Sequence, residues 1–503
     1  MNLALAHGRA RCGVDAPPVR IEVHLGGGLP NFTLVGLPAT AVRESRERVR
    51  AAIRNAQLEF PLRRITVNLA PADLPKHGGR FDLPIAVAIL AASGQVPVSA
   101  LADCELIGEL ALTGELKPVE GVLSAALAAA REGRRLIVPL GNGAEAALAQ
   151  GVRASTARTL LEVVAHLHGR RDLPAAVRPV ADAPTPQPDL ADVRGQDGGR
   201  RALEIAAAGG HHLLLVGPPG CGKTLLASRL PGLLPEASER EAIETATVHS
   251  VSGRGIDLAR WRQRPYRAPH HLSSAVAVAG GGGDPRPGEL SLAHNGVLFL
   301  DELAEWGRHT LEVLRQPLES GVVAVSRAAR QVEYPARFQL GAAMNPCPCG
   351  WAGDPSGRCT CSLEAVQRYR GKVSGPLMDR IDLQLAVPRL PPELLRPGAP
   401  AGESTATVRA RVLAARAVQS QRGALNARLS PTDLGRHCEL APAGQQLLER
   451  AMATLQLSAR SMHRILRVAR TIADLAGTEA IATPHVAEAI GYRLLDRGVT
   501  SAG

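Results

Sequence analysis

Residues 213–224 read LLLVGPPGCGKT, and LLASRL follows. A strand-forming run leads into Gly217-x-x-x-x-Gly222-Lys223-Thr224 and then into a helix-forming run, the frame a phosphate-binding loop requires. The glycines let successive backbone N–H groups converge on a β-phosphate at a helix N-terminus, whose dipole favours anions. Lys223 is spaced to reach the β- and γ-phosphates, and the Thr224 hydroxyl to ligate Mg²⁺. Gly217, Pro218, Pro219, Gly220, Cys221, Gly222, Lys223, Thr224 and Leu225 are thus the expected ATP cradle. A chance glycine-rich turn, the plainer alternative, leaves the flanking strand and helix unexplained.

Two further apolar runs end in groups that could complete a hydrolytic centre. Gly296–Glu302, GVLFLDE, reads as a buried parallel strand ending in two carboxylates. Asp301 would hold the Mg²⁺ shell through water, and Glu302 would polarise an attacking water. Phe338–Asn345, FQLGAAMN, is a similar strand whose terminal amide can hold that water. Arg380, in LMDRID, stands near the start of another strand; a surface pair with Asp379 or Asp382 is its plainer reading. Arg460, Arg464 and Arg467, in SARSMHRILRVAR, share one face of a helix by their spacing.

Four of the eight cysteines fall between positions 347 and 361, as Cys347-Pro-Cys349 and Cys359-Thr-Cys361 around GWAGDPSGR. Two such pairs bracketing a Gly/Pro/Asp loop can present four thiolates to one tetrahedral Zn²⁺. The CxC spacing is less common than CxxC, so a redox or metal-free cluster stays open as the other reading. Cys12, Cys104 and Cys438 read as small core residues. No carboxylates stand at ligand spacing to His270-His271, so a loop or packing role is expected there.

These groups need several domains to position them, because 503 residues are too many for one core. Asp172–Asp192 carries five prolines and reads as an extended linker. Before it, over 1–171, Arg20–Leu25, Phe32–Val35, Ile65–Leu69 and Leu136–Pro139 read as strands. Ala41–Asn55 and Leu83–Ala92 read as helices in that unit, and Leu116–Ala130 leads into a third. A weaker break near Pro388–Glu403 separates residues 193–395 from an all-helical segment over 396–503. The fold class expected is therefore α/β and multidomain.

Net charge is +11, yet only Lys76, Lys117, Lys223 and Lys372 are lysines. Residues 181–395 are neutral, with 23 basic and 23 acidic groups, and the surplus divides between the two ends as +5 and +6. That permits a polyanionic partner without requiring one, and twelve scattered aromatics give no stacking platform. Arg43, Arg46, Arg50 and Arg54 line one helix, but Glu44 and Glu47 on it favour a salt-bridged, solvated face equally. No run approaches the length of a membrane span, and no secretory start is evident. No membrane partner and a cytoplasmic location are the expectations.

Nearly the whole chain resembles the magnesium-chelatase-like AAA+ proteins, in their YifB/ComM branch. The resemblance rests on VGLPATAVRESRERVRAAI, ITVNLAPADLPKHGGRFDLPIA, YRAPHHLSSAVAVAGGGGDPRPGELSLAHNGVLFLDE, AAMNPCPCG and SGPLMDRIDL. It implies a central P-loop AAA+ αβα sandwich, a C-terminal helical lid, ATP and Mg²⁺ as cofactors, and a homo-hexameric ring. By the same resemblance Asn345 is the first sensor and Arg380 the finger that reaches a neighbour's γ-phosphate. Arg460 would be the second sensor, with Arg464 its competitor. A helix-2 insert would lie within Arg267–Glu289 and a β-hairpin within Gly321–Tyr334, both facing a pore; Arg327 and Arg330 flank the hairpin tip, placed for phosphates or, in the plainer reading, as charges protecting a solvated hairpin edge.

Residues 1–170 resemble the Lon-protease-like domain, a ribosomal-S5-type α/β fold. Arg80 stands at the nucleophile's place and Leu123 at the lysine's, while Ser124 has no base beside it, so peptide hydrolysis is not expected. The function implied is an ATP-driven motor on single-stranded or branched DNA that promotes branch migration during recombination or natural transformation. A magnesium-chelatase motor acting with porphyrin-binding partners is the alternative. A non-hydrolytic ATP-binding assembly factor is weaker, given the intact Lys223, Asp301, Glu302, Asn345 and Arg380.

Overall fold

The computed structural model describes residues 2–36, 40–74, 76–178, 186–282, 285–327, 330–396 and 400–493. Its first sheet has seven strands in the spatial order Asn31–Val35, Arg64–Ala70, Pro18–Gly26, Leu3–Arg9, Cys104–Leu106, Arg135–Pro139, Arg153–Ala157. Pro18–Gly26 alternates buried and exposed residues, so one face is left for a helical cover. The helix Asp82–Ala92, buried at every position, packs on Leu3–Arg9 and Pro18–Gly26. Pro84 is tolerated there because it sits in the first turn, where backbone N–H groups lack helical partners anyway.

The strands and helices expected in this unit match the observed ones to within two residues. Leu3–Arg9, Cys104–Leu106 and Arg153–Ala157 are additional strands, built from small, short or polar runs that carry little periodicity. On the helix Thr40–Asn55, Arg46 pairs with Glu47, Arg48 with Asp82, and Arg50 lies over the Phe60 ring, so the solvated, salt-bridged reading fits this face. The side chain of Arg43 lies outside the described residues.

In the second sheet all strands are parallel, in the order Tyr266–Arg267, Val297–Leu300, Gln339–Met344, Leu213–Val216, Leu383–Ala386. The middle three are buried throughout, as an unbroken apolar strand covered on both faces must be. Val216 is level with Met344 and Leu300 with Ala342, so Gly217, Asn345 and Asp301 all leave the sheet at one edge. The helix Asp197–Gly209 shares its core with the C-terminal helices through Ala202, Ile205, Val412, Val468 and Ile472. Among the described residues no helix is long and apolar enough to cross a membrane.

The expected insert and hairpin are present as backbone. Ala275–Ala279 is a short helix, Gly280–Gly281 pairs with Arg286–Pro287, and Val322–Arg327 pairs with Arg330–Pro335. Gly283, residues 328–329 and the side chains of Arg327 and Arg330 lie outside the described residues, as do residues 179–185 of the expected linker. The hairpin stands on the N-terminal unit, where an added Cβ at Gly13 would fall 2.6 Å from Val332 Cγ1. Arg11 donates to Val251 O at 3.2 Å and pairs with Glu120, which also holds Arg286.

Arg9 is buried against Glu105, donating at 2.6 and 2.7 Å, and also meets Glu132 at 2.9 Å. Removing one partner of a buried pair leaves the other charge stranded. Arg9→Ala should lower the unfolding free energy of the N-terminal unit by about 3–5 kcal/mol, read as an earlier urea transition. A shift too small to resolve would show that water already solvates Glu105.

Candidate functional site

The phosphate loop opens where the strand Leu213–Val216 ends. Gly217 accepts no side chain, since a Cβ there would collide with the Val387 carbonyl. Gly220 and Gly222 take left-handed backbone, with φ of 74° and 94°, which glycine adopts without steric cost. Gly222 caps the helix Lys223–Ala227, so Lys223 and Thr224 stand on its first turn. The Lys223 ammonium donates to the carbonyls of Gly217 and Pro218, at 2.7 and 3.0 Å, and to Asn345 Oδ1 at 3.2 Å. Thr224 Oγ1 donates to Asp301 Oδ2 at 2.7 Å. Two oxygen ligands suited to a hard divalent cation thus come together, one from the helix after the loop and one from the end of a neighbouring strand. Pro218, Pro219, Cys221 and Leu225 complete the loop, with the Cys221 thiol buried and raised by that burial.

Glu302 follows Asp301 in a left-handed conformation, φ 52°, a region that costs a non-glycine residue about 1–2 kcal/mol. The turn is held by Trp306, whose indole donates to Asp301 O at 2.9 Å. It is also met by His271, whose Nδ1 lies 3.0 Å from Glu302 Oε2. The His270 and His271 rings are 4.2 Å apart. His271 is thus in contact with the expected general base, a role sequence spacing did not assign; its one signal was a conspicuous pair in a loop between two site strands.

Arg380 and Arg460 are not with Lys223 in the same chain. Arg380 precedes the strand Leu383–Ala386, whose first residue is level with Leu213, so it sits at the opposite end of the sheet from the phosphate loop. At about 3.3 Å per residue, four residues separate the two ends by roughly 13 Å. Arg380, Arg460, His463, Arg464 and Arg467 instead line one cavity of about 200 Å³. Arg380 pairs with Glu319 and donates to Pro376 O. Arg464 is fixed on Asp382 at 2.5 Å and on Arg380 O at 3.1 Å, whereas Arg460 is exposed with no side-chain hydrogen bond among the described residues. Burial opposes charge on Asp382, but Arg464, His211 and His212 hold its carboxyl far below the usual range.

The four cysteine sulfurs of 347, 349, 359 and 361 lie within 4.8 Å of one another. Cys347 Sγ is 3.3 Å from Cys349 Sγ and 3.8 Å from Cys359 Sγ, and Cys349 to Cys359 is 3.7 Å. Sulfurs at about 2.3 Å from a tetrahedral zinc are about 3.8 Å apart, so the set fits that ion. The Trp351 backbone N–H, and then the neighbouring thiols, lower Cys349 to about 6. This knuckle packs on the phosphate loop: a Cβ at Gly350 would be 2.7 Å from Pro219 Cδ. Arg358 and Arg389 both lie over the Trp351 ring. Cys104 and Cys438 are buried as expected, while Cys12 is half-buried at the turn beside the hairpin.

In the N-terminal unit Arg80 is buried and Leu123 is fully enclosed, with the Ser124 hydroxyl buried and without a partner.

Residues 189–395 match the family described as magnesium chelatase, subunit ChlI; residues 21–142 and 402–493 match further parts of that subunit's description. The chain is 51% identical to competence protein ComM of Haemophilus influenzae, over 99% of this chain and 98% of that protein. It is 50% identical to YifB of Escherichia coli over the same shares. A shorter likeness, 32% over 23% of this chain and 22% of the relative, is to Lon protease 2 of Bacillus subtilis. The chain belongs to the magnesium-chelatase-like AAA+ proteins of the YifB/ComM family.

Two outcomes follow from the geometry. His271→Ala should lower kcat for ATP hydrolysis by roughly ten- to a hundredfold, with KM nearly unchanged, since it orients a carboxylate and contacts no nucleotide-binding group. A parallel rise in KM would instead place His271 in nucleotide binding. Cys359→Ser should lower the melting temperature and weaken ATP binding together, because the knuckle backs Pro219; intact ATP affinity in a destabilised variant would uncouple the two.

Proposed function

We propose that this protein is a cytoplasmic, ATP-hydrolysing motor that acts as a homo-hexamer on single-stranded or branched DNA and promotes branch migration in recombination. The observation that carries the ATPase is the convergence of Lys223, Thr224, Asp301 and Asn345 at one edge of a parallel sheet, within 3.2 Å of their partners. Lys223 and the loop amides bind the phosphates, Thr224 and Asp301 hold Mg²⁺, and Asn345 orients the water whose proton Glu302 draws off. Mg²⁺ supplies charge neutralisation on the transferred phosphoryl group. The four cysteines hold a structural Zn²⁺ that stiffens the loop behind Pro219.

Ring assembly is supported by the separation within one chain. Arg380 and Arg460 stand at the far end of the sheet from Lys223, where they suit the phosphates of a neighbouring copy. The cavity beside them, about 700 Å³, is lined by Arg337, Arg416, Arg428 and Arg467, with Glu241, Glu319 and Asp382 as its carboxylates among the described residues. DNA as the track rests on the full-length likeness to ComM, named as a competence protein. That likeness spans the N-terminal unit as well, and weighs against the chelatase alternative.

Lys223→Ala and Arg380→Ala should each remove ATPase activity, the latter by about 10³–10⁵-fold. Mixing the two variants should restore part of it, because some interfaces then pair an intact loop with an intact arginine. No recovery on mixing would overturn the shared site. Glu302→Gln should bind ATP, hydrolyse it at least about a hundredfold more slowly, and fail to move a labelled four-way junction. ATPase and mobility indifferent to every DNA form would remove the DNA reading and leave the ATPase standing.

A further inference from the structure

A cavity of about 340 Å³ lies at the seam between the N-terminal sheet and the insert, lined by Arg11, His77, Gly79, Arg80, Glu109 and Arg286 among others. It occupies the place where the Lon-like resemblance puts a nucleophile loop, but its chemistry is different. Arg80 is only 4% exposed, and its Nε and Nη2 are buried with no hydrogen-bond partner. No carboxylate among the described residues comes within ion-pairing distance of it. Two other cations of the wall, Arg11 and Arg286, both hold Glu120, a second carboxylate of the same wall, at 2.6 and 3.1 Å. Burial, aided by Arg11 and opposed by the charges of Glu145 and Glu120, pushes the Arg80 pKa down to about 10, which still leaves a cation at neutral pH.

A guanidinium without acceptors is among the least favourable groups a protein interior can hold. The planar fork matches two oxygens of one oxyanion and is wasted on a lone water. At about 30 Å³ per water the cavity would hold on the order of ten waters, enough for a phosphate group with a small organic remainder. Gly79 keeps the wall open, because a Cβ there would collide with the Glu109 carboxylate.

We infer that this cavity binds a small oxyanion, inorganic phosphate or a phosphate monoester, on Arg80. The relict catalytic loop of the N-terminal unit has become a phosphate-recognition site. Arg286 lies in the two-residue strand that pairs with Gly280–Gly281, so an occupant of the cavity braces the insert against the N-terminal sheet. This reading is independent of what the motor acts on.

The test titrates the full chain calorimetrically with inorganic phosphate, and separately with a hexose monophosphate, at ionic strength held constant with chloride. Saturating ADP and Mg²⁺ occupy the nucleotide loop, and the titration is repeated in a Lys223→Ala background. One site per chain is expected in both backgrounds, and the tighter of the two probes identifies the source. Arg80→Met should fold with equal or higher melting temperature, because a buried unpaired charge is gone, and should bind at least tenfold more weakly. Glu109→Gln, which removes a repelling carboxylate, should bind at least twofold more tightly, and keeps the test decisive if Arg80→Met fails to fold. The inference is overturned by no binding in the wild-type chain, by equal affinity in Arg80→Met or Glu109→Gln, by loss of the site in Lys223→Ala, or by binding of an oligonucleotide alone.

Discussion

A parallel strand has two unlike ends, and the second sheet turns that polarity into a division of labour. Every strand enters from the side of Arg380 and Asp382 and leaves on the side of Gly217, Asp301 and Asn345. The register sets Val216 level with Met344 and makes the Lys223–Asn345 and Thr224–Asp301 contacts possible. The arginines collect at the entry side, where loops bring Arg380 and the helix Ala459–Leu475 together. One chain therefore presents its phosphate loop and this set of cations at opposite ends of a single sheet.

The supports around the cradle are also non-local. Trp306 and His271 both hold the Asp301–Glu302 turn, and the cysteine knuckle stands behind Pro219. Each belongs to a different segment, so the cradle's geometry is distributed over residues from 219 to 350. Substitutions far from the nucleotide loop in sequence can shift a carboxylate by an ångström, which is enough to matter for catalysis.

Much of this was legible beforehand because buried parallel strands leave unbroken apolar runs. LLLV runs into the glycine loop, VLFL into Asp301 and QLGAAM into Asn345, and each reading found its strand. The cysteine cluster was legible from spacing alone. Leu3–Arg9 and Arg153–Ala157 were not, since their strand character comes from neighbours in the sheet more than from their own side chains. Contacts made through loops were equally hidden. Nothing in the order of residues marks His271 for Glu302, sets Arg464 on Asp382, or strands Arg80 without an acceptor.

The turn at Cys12–Asp15 adds a mechanical consequence. Val14 is packed into the same cluster as Val332 and Tyr334 of the hairpin, and Gly13 lies so close to Val332 that no side chain fits. Tyr334 in turn donates its hydroxyl to Pro285 O of the insert at 2.7 Å. A load on the hairpin is therefore resisted first by a four-residue foot on the N-terminal sheet. A chain shortened to the central module would leave Val332 and Tyr334 without the packing that Gly13 and Val14 supply.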